Sequence, residues 1–447
     1  LQSLSGDITA YDLLDVGGTK NLTINTSGAV SLSTINNANI LAVTGSTITL
    51  NGDVTTVGAQ TYNSPVLLGN DVALTTTNNL VWFKSTVGNS AAKALSISSG
   101  TGGATFANTV GATTALGAIS LTTTGTTTFS NTVGAASLSS GTGTTAINGG
   151  SITTSGAQTY NGAVTLGADT TLTASSITTG STIAAGANSL TLITDGLALG
   201  GNVNGGAGTL TIKPKSAATT IGLGSGGNAS GATLQLDDAE LGYINVASNY
   251  FAAIVIGNAT NGTGTIKYDT SADQHFHSTL TLQSLSGAIT AYQALDVSSS
   301  KNLTINTGGA VSLSTINTAN VLAVTGTGIT LNGSVTTNGT QTYTGAVTLG
   351  ADVVLTTSAA STSGDITFSS TVEGAASPSY SLTATTAATA HTIFNGTVGN
   401  TNPLKSLSVS AGLTTLNTNT VKTIGSQNYS GAVTLGAASG TTTLTTT

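Results

Sequence analysis

Apolar and polar residues alternate along most of this chain in short runs whose period is two. Leu22 and Ile24 flank Thr23, Val30 and Leu32 flank Ser31, and Ile48 and Leu50 flank Thr49, with Val54 opening the next run. Residues i and i+2 of a strand share a face, so each run buries one side and shows Thr, Ser or Asn on the other. Glycine-rich joints such as Thr144 to Ile152 separate the runs and supply corners. No stretch carries the 3.6-residue period of an amphipathic helix. The pattern predicts an all-β chain of many short strands.

Two sequence blocks recur within this pattern. Gln-x-Tyr followed by Val-x-Leu-Gly occurs at Gln60 to Gly69, Gln158 to Gly167, Gln341 to Gly350 and Gln427 to Gly436. Phe-x-x-Thr-Val begins at Phe83, Phe106, Phe129, Phe368 and Phe394, and the first three are 23 residues apart. Such a period is too short for a propeller blade and suits one turn of a β-solenoid with rungs of roughly 20 to 25 residues, or about 19 turns in all. Above this repeat lies a longer one. Leu1 to Thr77 recurs ungapped at Leu282 to Ser358, 281 positions later, with 56 of 77 residues identical. A closed globule cannot absorb a second copy of part of itself, whereas a stack of coils can.

Composition narrows the functions open to such a stack. Only 6% of the 447 residues are charged, against roughly 25% in ordinary soluble domains, yet mean hydropathy is +0.26. All nine basic residues are lysines and the net charge is −7, so a nucleic-acid partner is not expected. Cysteine is absent, which rules out disulfide staples and thiolate zinc. The longest apolar run, Tyr250 to Gly257, is too short to span a bilayer. With Leu1 already inside a repeat, the chain reads as an internal piece of a longer exported protein whose signal and anchor lie elsewhere.

The segment from 210 to 281 departs from the simple pattern and divides the chain into a repeat array at 1–209, a less regular module at 210–281 and a second array at 282–447. It holds Leu210-Thr-Ile-Lys, Thr220-Ile-Gly-Leu-Gly, Leu234-Gln-Leu-Asp-Asp-Ala-Glu-Leu-Gly-Tyr-Ile, Ile254-Val-Ile-Gly and Gly264-Thr-Ile. These runs resemble a module of large bacterial haemagglutinin-like exoproteins, and the two repeat blocks resemble the strand repeats of the same class of surface adhesins. The resemblance implies a right-handed parallel β-helix, extracellular or on the cell surface, that works in adhesion, aggregation or matrix building. Its partners would be other cells, surfaces or matrix polysaccharide, with end-to-end or lateral self-association into fibres. It brings no catalytic residue, metal or cofactor with it.

Several residue groups could carry chemistry. Asp273, His275 and His277 could present two imidazoles on one strand face, but zinc needs three or four convergent ligands and His391 stands apart, so a solvated strand with Phe276 turned inward is the expectation. Asp71, Asp169 and Asp352 follow the Leu-Gly pair of the first block; single carboxylates so far apart do not make a calcium site, and they read as turn formers. Asp237, Asp238 and Glu240 are the densest acids, and convergence with Tyr243 and Phe251 in one groove would favour a carbohydrate-binding or carbohydrate-active solenoid. Without a recognisable constellation the chain is not expected to be an enzyme. Tyr62, Tyr160, Tyr343 and Tyr429 hold equivalent positions and are expected to close the core at a corner with the hydroxyl in water, rather than to stack on sugars. Thr-rich runs such as Leu121 to Thr128 suggest an ice-binding ladder, which uneven motif spacing would break.

Overall fold

A computed structural model gives the fold of residues 1–447; Val246, Ala272, Asp273, Ala437, Ala438 and Ser439 lie outside the described residues. The chain is nearly all β, built of parallel strands stacked as a β-solenoid of about 22 turns. It divides into two compact units, Leu1–Leu210 and Thr211–Thr447.

In the first unit most coils contribute three short strands. One coil is Ile48–Leu50, Val54–Thr56 and Gln60–Tyr62, and the next is Val66–Leu68, Val72–Thr75 and Val81–Phe83. Each strand pairs in parallel with its counterpart one coil away: Ile48 with Val66, Val54 with Leu74, Gln60 with Val81. One face is a ten-stranded sheet running from Leu22–Asn25 to Val203–Asn204. Along it the register steps from Leu22 to Leu41, Gln60, Val81, Ala104, Thr127 and Thr145, so coils of 18 to 23 residues follow one another. The corners absorb the difference while the strands stay in step. This is why more turns fit than a fixed 23-residue period allows.

Alternation decides what is inside. Ile48, Leu50, Val54, Leu68 and Leu74 are fully buried, and each such side chain removed from water stabilises the fold by about 1.5–3 kcal/mol. The two repeat blocks meet in this core. Tyr62, Phe83, Phe106 and Phe129 stack one per coil at centroid distances of 5.0, 5.1 and 5.0 Å, with rings within 14° of parallel. Tyr343, Phe368 and Phe394 form a second such column in the other unit, at 5.3 and 5.1 Å. In both columns the Tyr of one block, Tyr62 or Tyr343, is the first rung of a ladder that the Phe of the other continues.

The glycine of Val-x-Leu-Gly is set by the neighbouring coil. A Cβ on Gly69, Gly167, Gly350 or Gly436 would lie 2.1 to 2.2 Å from Oδ1 of Asn51, Asn148, Asn332 or Asn417 respectively. Three of the asparagines are themselves held, Asn51 donating to Ser31 Oγ at 3.0 Å, Asn332 to Ser312 Oγ at 2.9 Å and Asn417 to Asn395 Oδ1 at 2.9 Å. A side chain at these positions would have to push the asparagine aside, so glycine lets the coil close down over it.

The second unit repeats the registers of the first where the sequence is duplicated. Ile8 pairs with Val30 and Ile289 with Val311; Leu41 pairs with Gln60 and Leu322 with Gln341. It also carries an excursion. Between Ile221 and its partner Ile266 the chain makes the strand Leu234–Leu236 and the α-helix Asp238–Ile244, whose Leu241 and Ile244 are buried. No helix among the described residues is long and apolar enough to cross a membrane.

Candidate functional site

The four Gln-x-Tyr blocks build the same buried device. Gln158 Nε2 donates to the Ile152 carbonyl at 3.0 Å and, one coil on, to the Thr173 carbonyl at 3.0 Å, while its Oε1 accepts from the Tyr160 hydroxyl at 2.9 Å. Gln60 with Tyr62 and Gln341 with Tyr343 repeat these bonds, and Gln427 with Tyr429 does so in a more open setting. The expectation of a hydroxyl in water is corrected here: Tyr62, Tyr160 and Tyr343 are fully buried, and each hydroxyl is used by the Gln two residues earlier. Burial drives the pKa of these three far above its ordinary value and pushes that of Tyr429 up to about 12. The three buried rings, Tyr62, Tyr160 and Tyr343, offer no stacking surface to a ligand.

The device is portable between faces. The strand line that leaves the first block at Val66 runs through Val87, Val110 and Val133 to Ile152, the strand that precedes the second Gln-x-Tyr. The second block therefore sits one face back from the first, and its bonds depend on its own coil and the next rather than on a fixed side of the stack.

The acids that follow Leu-Gly bond across coils rather than within their own turns. Asp71 Oδ1 accepts from Ala94 N at 2.9 Å, Asp169 Oδ1 from Ser189 N at 2.8 Å and Asp352 Oδ1 from Ser381 N at 2.8 Å. Asp53 does the same for Ala73 N at 2.8 Å. Each carboxylate satisfies a backbone donor at the start of a strand in the next coil, a role with no counterpart in single-turn rules.

The denser acids are spent in the same way. Asp237 caps the helix Asp238–Ile244 through Glu240 N at 2.9 Å, and Glu240 returns the bond to Asp237 N at 3.0 Å. Asp238 accepts from Ser225 N and Ser271 N, both at 3.2 Å, and from the Ser271 hydroxyl. Partial burial raises its pKa, but the bonds from Ser271 and Ser225 outweigh that and leave it below the ordinary carboxylate value. Phe251 is fully buried, so the groove that would have gathered Asp237, Glu240, Tyr243 and Phe251 does not form around it.

His275 and His277 point outward on either side of buried Phe276, their rings 5.6 Å apart and nearly perpendicular. His277 stacks on Tyr250 at 5.9 Å, Lys301 lies 5.2 Å over the Tyr250 ring, and His275 Nε2 is 3.2 Å from Ser298 Oγ. Asp273 lies outside the described residues. His391 is elsewhere, with Nδ1 3.9 Å from Asp365 Oδ2. Among the described residues no three His, Cys, Asp or Glu side chains are grouped to hold a metal ion.

The outward row of the ten-stranded sheet reads Thr23, Ala42, Thr61, Trp82, Thr105, Thr128, Ala146, Thr165, Ala184, Asn204. Uneven coil lengths do not break this ladder, contrary to the expectation from motif spacing, because the corners take up the slack. Alanines and Trp82, with Lys84 4.4 Å over its ring, interrupt the threonines instead. No protein-family model, curated protein or solved structure matches the chain.

Proposed function

We propose that this chain is a structural and adhesive segment of a large secreted or cell-surface exoprotein, a stalk or fibre for contact between cells or between a cell and a surface. The observation that supports this reading is the use of the repeated polar residues. Gln158, Asp71, Asn332 and their equivalents all close bonds or contacts between coils, so the repeat perpetuates stacking and leaves an outer face of Thr, Ser, Asn and Ala. A stack whose backbone groups pair with neighbouring coils resists proteolysis outside the cell and presents weak contacts many times over. Its partners are other cells, surfaces or matrix polysaccharide, or further copies of itself.

The test is retention of coated beads. Beads carrying the chain are expected to hold to cells or to polysaccharide-coated surfaces, or to clump with one another, above beads carrying an unrelated β-solenoid of similar charge. Equal retention across all of these surfaces refutes the adhesive reading.

A further inference from the structure

In the excursion of the second unit, residues 224–232 read Gly-Ser-Gly-Gly-Asn-Ala-Ser-Gly-Ala, a composition that on its own predicts a loose loop. The structure holds it down at several points. Asp269, only 5% exposed, accepts through Oδ2 from both Asn228 N and Asn228 Nδ2 at 2.9 Å, and its carbonyl accepts from Gly226 N at 2.7 Å. A Cβ on Gly226 would lie 2.3 Å from the Asp269 carboxyl carbon, and one on Gly222 would lie 2.2 Å from the Ala229 carbonyl oxygen. The glycines therefore let the loop press onto the sheet, and a buried carboxylate fixes it there.

The fixed loop forms one wall of a cavity of about 200 Å³, and Lys267 forms another. Lys267 faces outward in register with Gly222 on the neighbouring strand and is half-buried. No hydrogen-bond or ion-pair partner for its ammonium group is found among the described residues. An anion entering the cavity would give this ammonium the counter-charge it lacks. The hydroxyls beside it are polarised in opposite senses. Thr220 Oγ1 already accepts from Thr233 N at 3.0 Å and keeps its hydrogen to donate, whereas Ser230 Oγ donates to the Gly227 carbonyl at 3.2 Å and keeps its lone pairs to accept. Thr265 adds a third hydroxyl.

We infer that this cavity binds one acidic sugar residue, a hexuronate, with its carboxylate on Lys267 and its ring hydroxyls on Thr220, Ser230 and Thr265. A single ammonium with no clustered N–H donors suits one carboxylate better than phosphate, and mixed donors and acceptors match sugar hydroxyls, which do both. The site stands apart from the adhesive reading, since binding to the isolated chain and retention of coated beads can each fail without the other.

The experiment titrates the whole chain with D-glucuronate, D-galacturonate, methyl β-D-glucoside and inorganic phosphate at constant ionic strength, followed by ligand-observed NMR. At least one uronate is expected to bind in the millimolar range, as a single sugar in a small open site does, with the neutral glycoside and phosphate at least about tenfold weaker. Lys267→Gln should weaken uronate at least about tenfold, the effect of losing one charge-assisted bond, while Lys405→Gln leaves it unchanged. Thr265→Val, a change of similar shape, should weaken uronate and glycoside together. Phosphate binding as tightly as uronate, no uronate binding at all, or full uronate affinity in Lys267→Gln or Thr265→Val would each overturn the assignment.

Discussion

The buried Gln158–Tyr160 pair offers the sharpest test of how the coils are held. Tyr160→Phe removes one hydroxyl and leaves Gln158 Oε1 buried without a donor, which costs about 1–3 kcal/mol. Gln158→Met keeps much of the volume but withdraws a donor from the Ile152 and Thr173 carbonyls and the acceptor from the Tyr160 hydroxyl. At about 1–1.5 kcal/mol for each of three bonds, that change costs about 3–4.5 kcal/mol. The informative quantity is the double variant. Once Gln158 is gone, the Tyr160 hydroxyl has already lost its acceptor, so adding Tyr160→Phe should cost close to nothing, and the coupling between the two sites should be about 1–3 kcal/mol.

A stack of coils does not unfold in one step, so the measurement must be local. Native-state hydrogen exchange of the strands Ser151–Thr154, Gln158–Tyr160 and Thr170–Thr173 reads it, with about tenfold faster exchange for each 1.4 kcal/mol lost locally. If Tyr160→Phe accelerates exchange by the same factor with and without Gln158, the hydroxyl and the amide act independently and the network reasoning fails.

Two further outcomes follow from the same core. The neutral form of Tyr62, Tyr160 and Tyr343 is favoured in the folded chain, while the unfolded chain ionises near the ordinary value of 10.0; stability should be flat below about pH 10 and fall above it by up to about 1.4 kcal/mol per pH unit per tyrosine, Tyr429 ceasing to add near pH 12. Thermal unfolding followed by circular dichroism from pH 8 to 11.5 should show this decline, and Tyr343→Phe should make it shallower; an unchanged slope would place that hydroxyl in water. Gly350→Ala should cost about 1–2 kcal/mol by driving Asn332 off Ser312, and the cost should vanish in an Asn332→Ala background, as read by exchange at Gln341–Leu349; persistence of the penalty would locate it in the backbone instead.

The alternation of Leu22, Ile24, Val30 and Leu32 was sufficient to read the strands and their inward faces, because a strand's period of two and the burial of one face are properties of a few adjacent residues. The number of coils is less legible. Motif spacing reports the distance between copies of a motif, and Gln-x-Tyr blocks on different faces are not a whole number of coils apart. The burial of the Tyr hydroxyls is hidden for a related reason: their acceptor is a Gln two residues away, but a carbonyl that fixes that Gln belongs to the next coil, Thr173 in the case of Gln158.

By itself, then, the sequence determined the class of fold, the inward residues and the modularity recorded in the 77-residue duplication. The tertiary structure alone decided what the polar residues do. Whether Asp71 meets the amide of Ala94, whether Asn332 stands where a Cβ of Gly350 would be, and whether Asp269 pins a glycine loop beside Lys267 all depend on residues 18 to 41 positions apart in the chain. Those meetings are set by corner geometry, which absorbs coils of different length and leaves no periodic trace in the order of the amino acids.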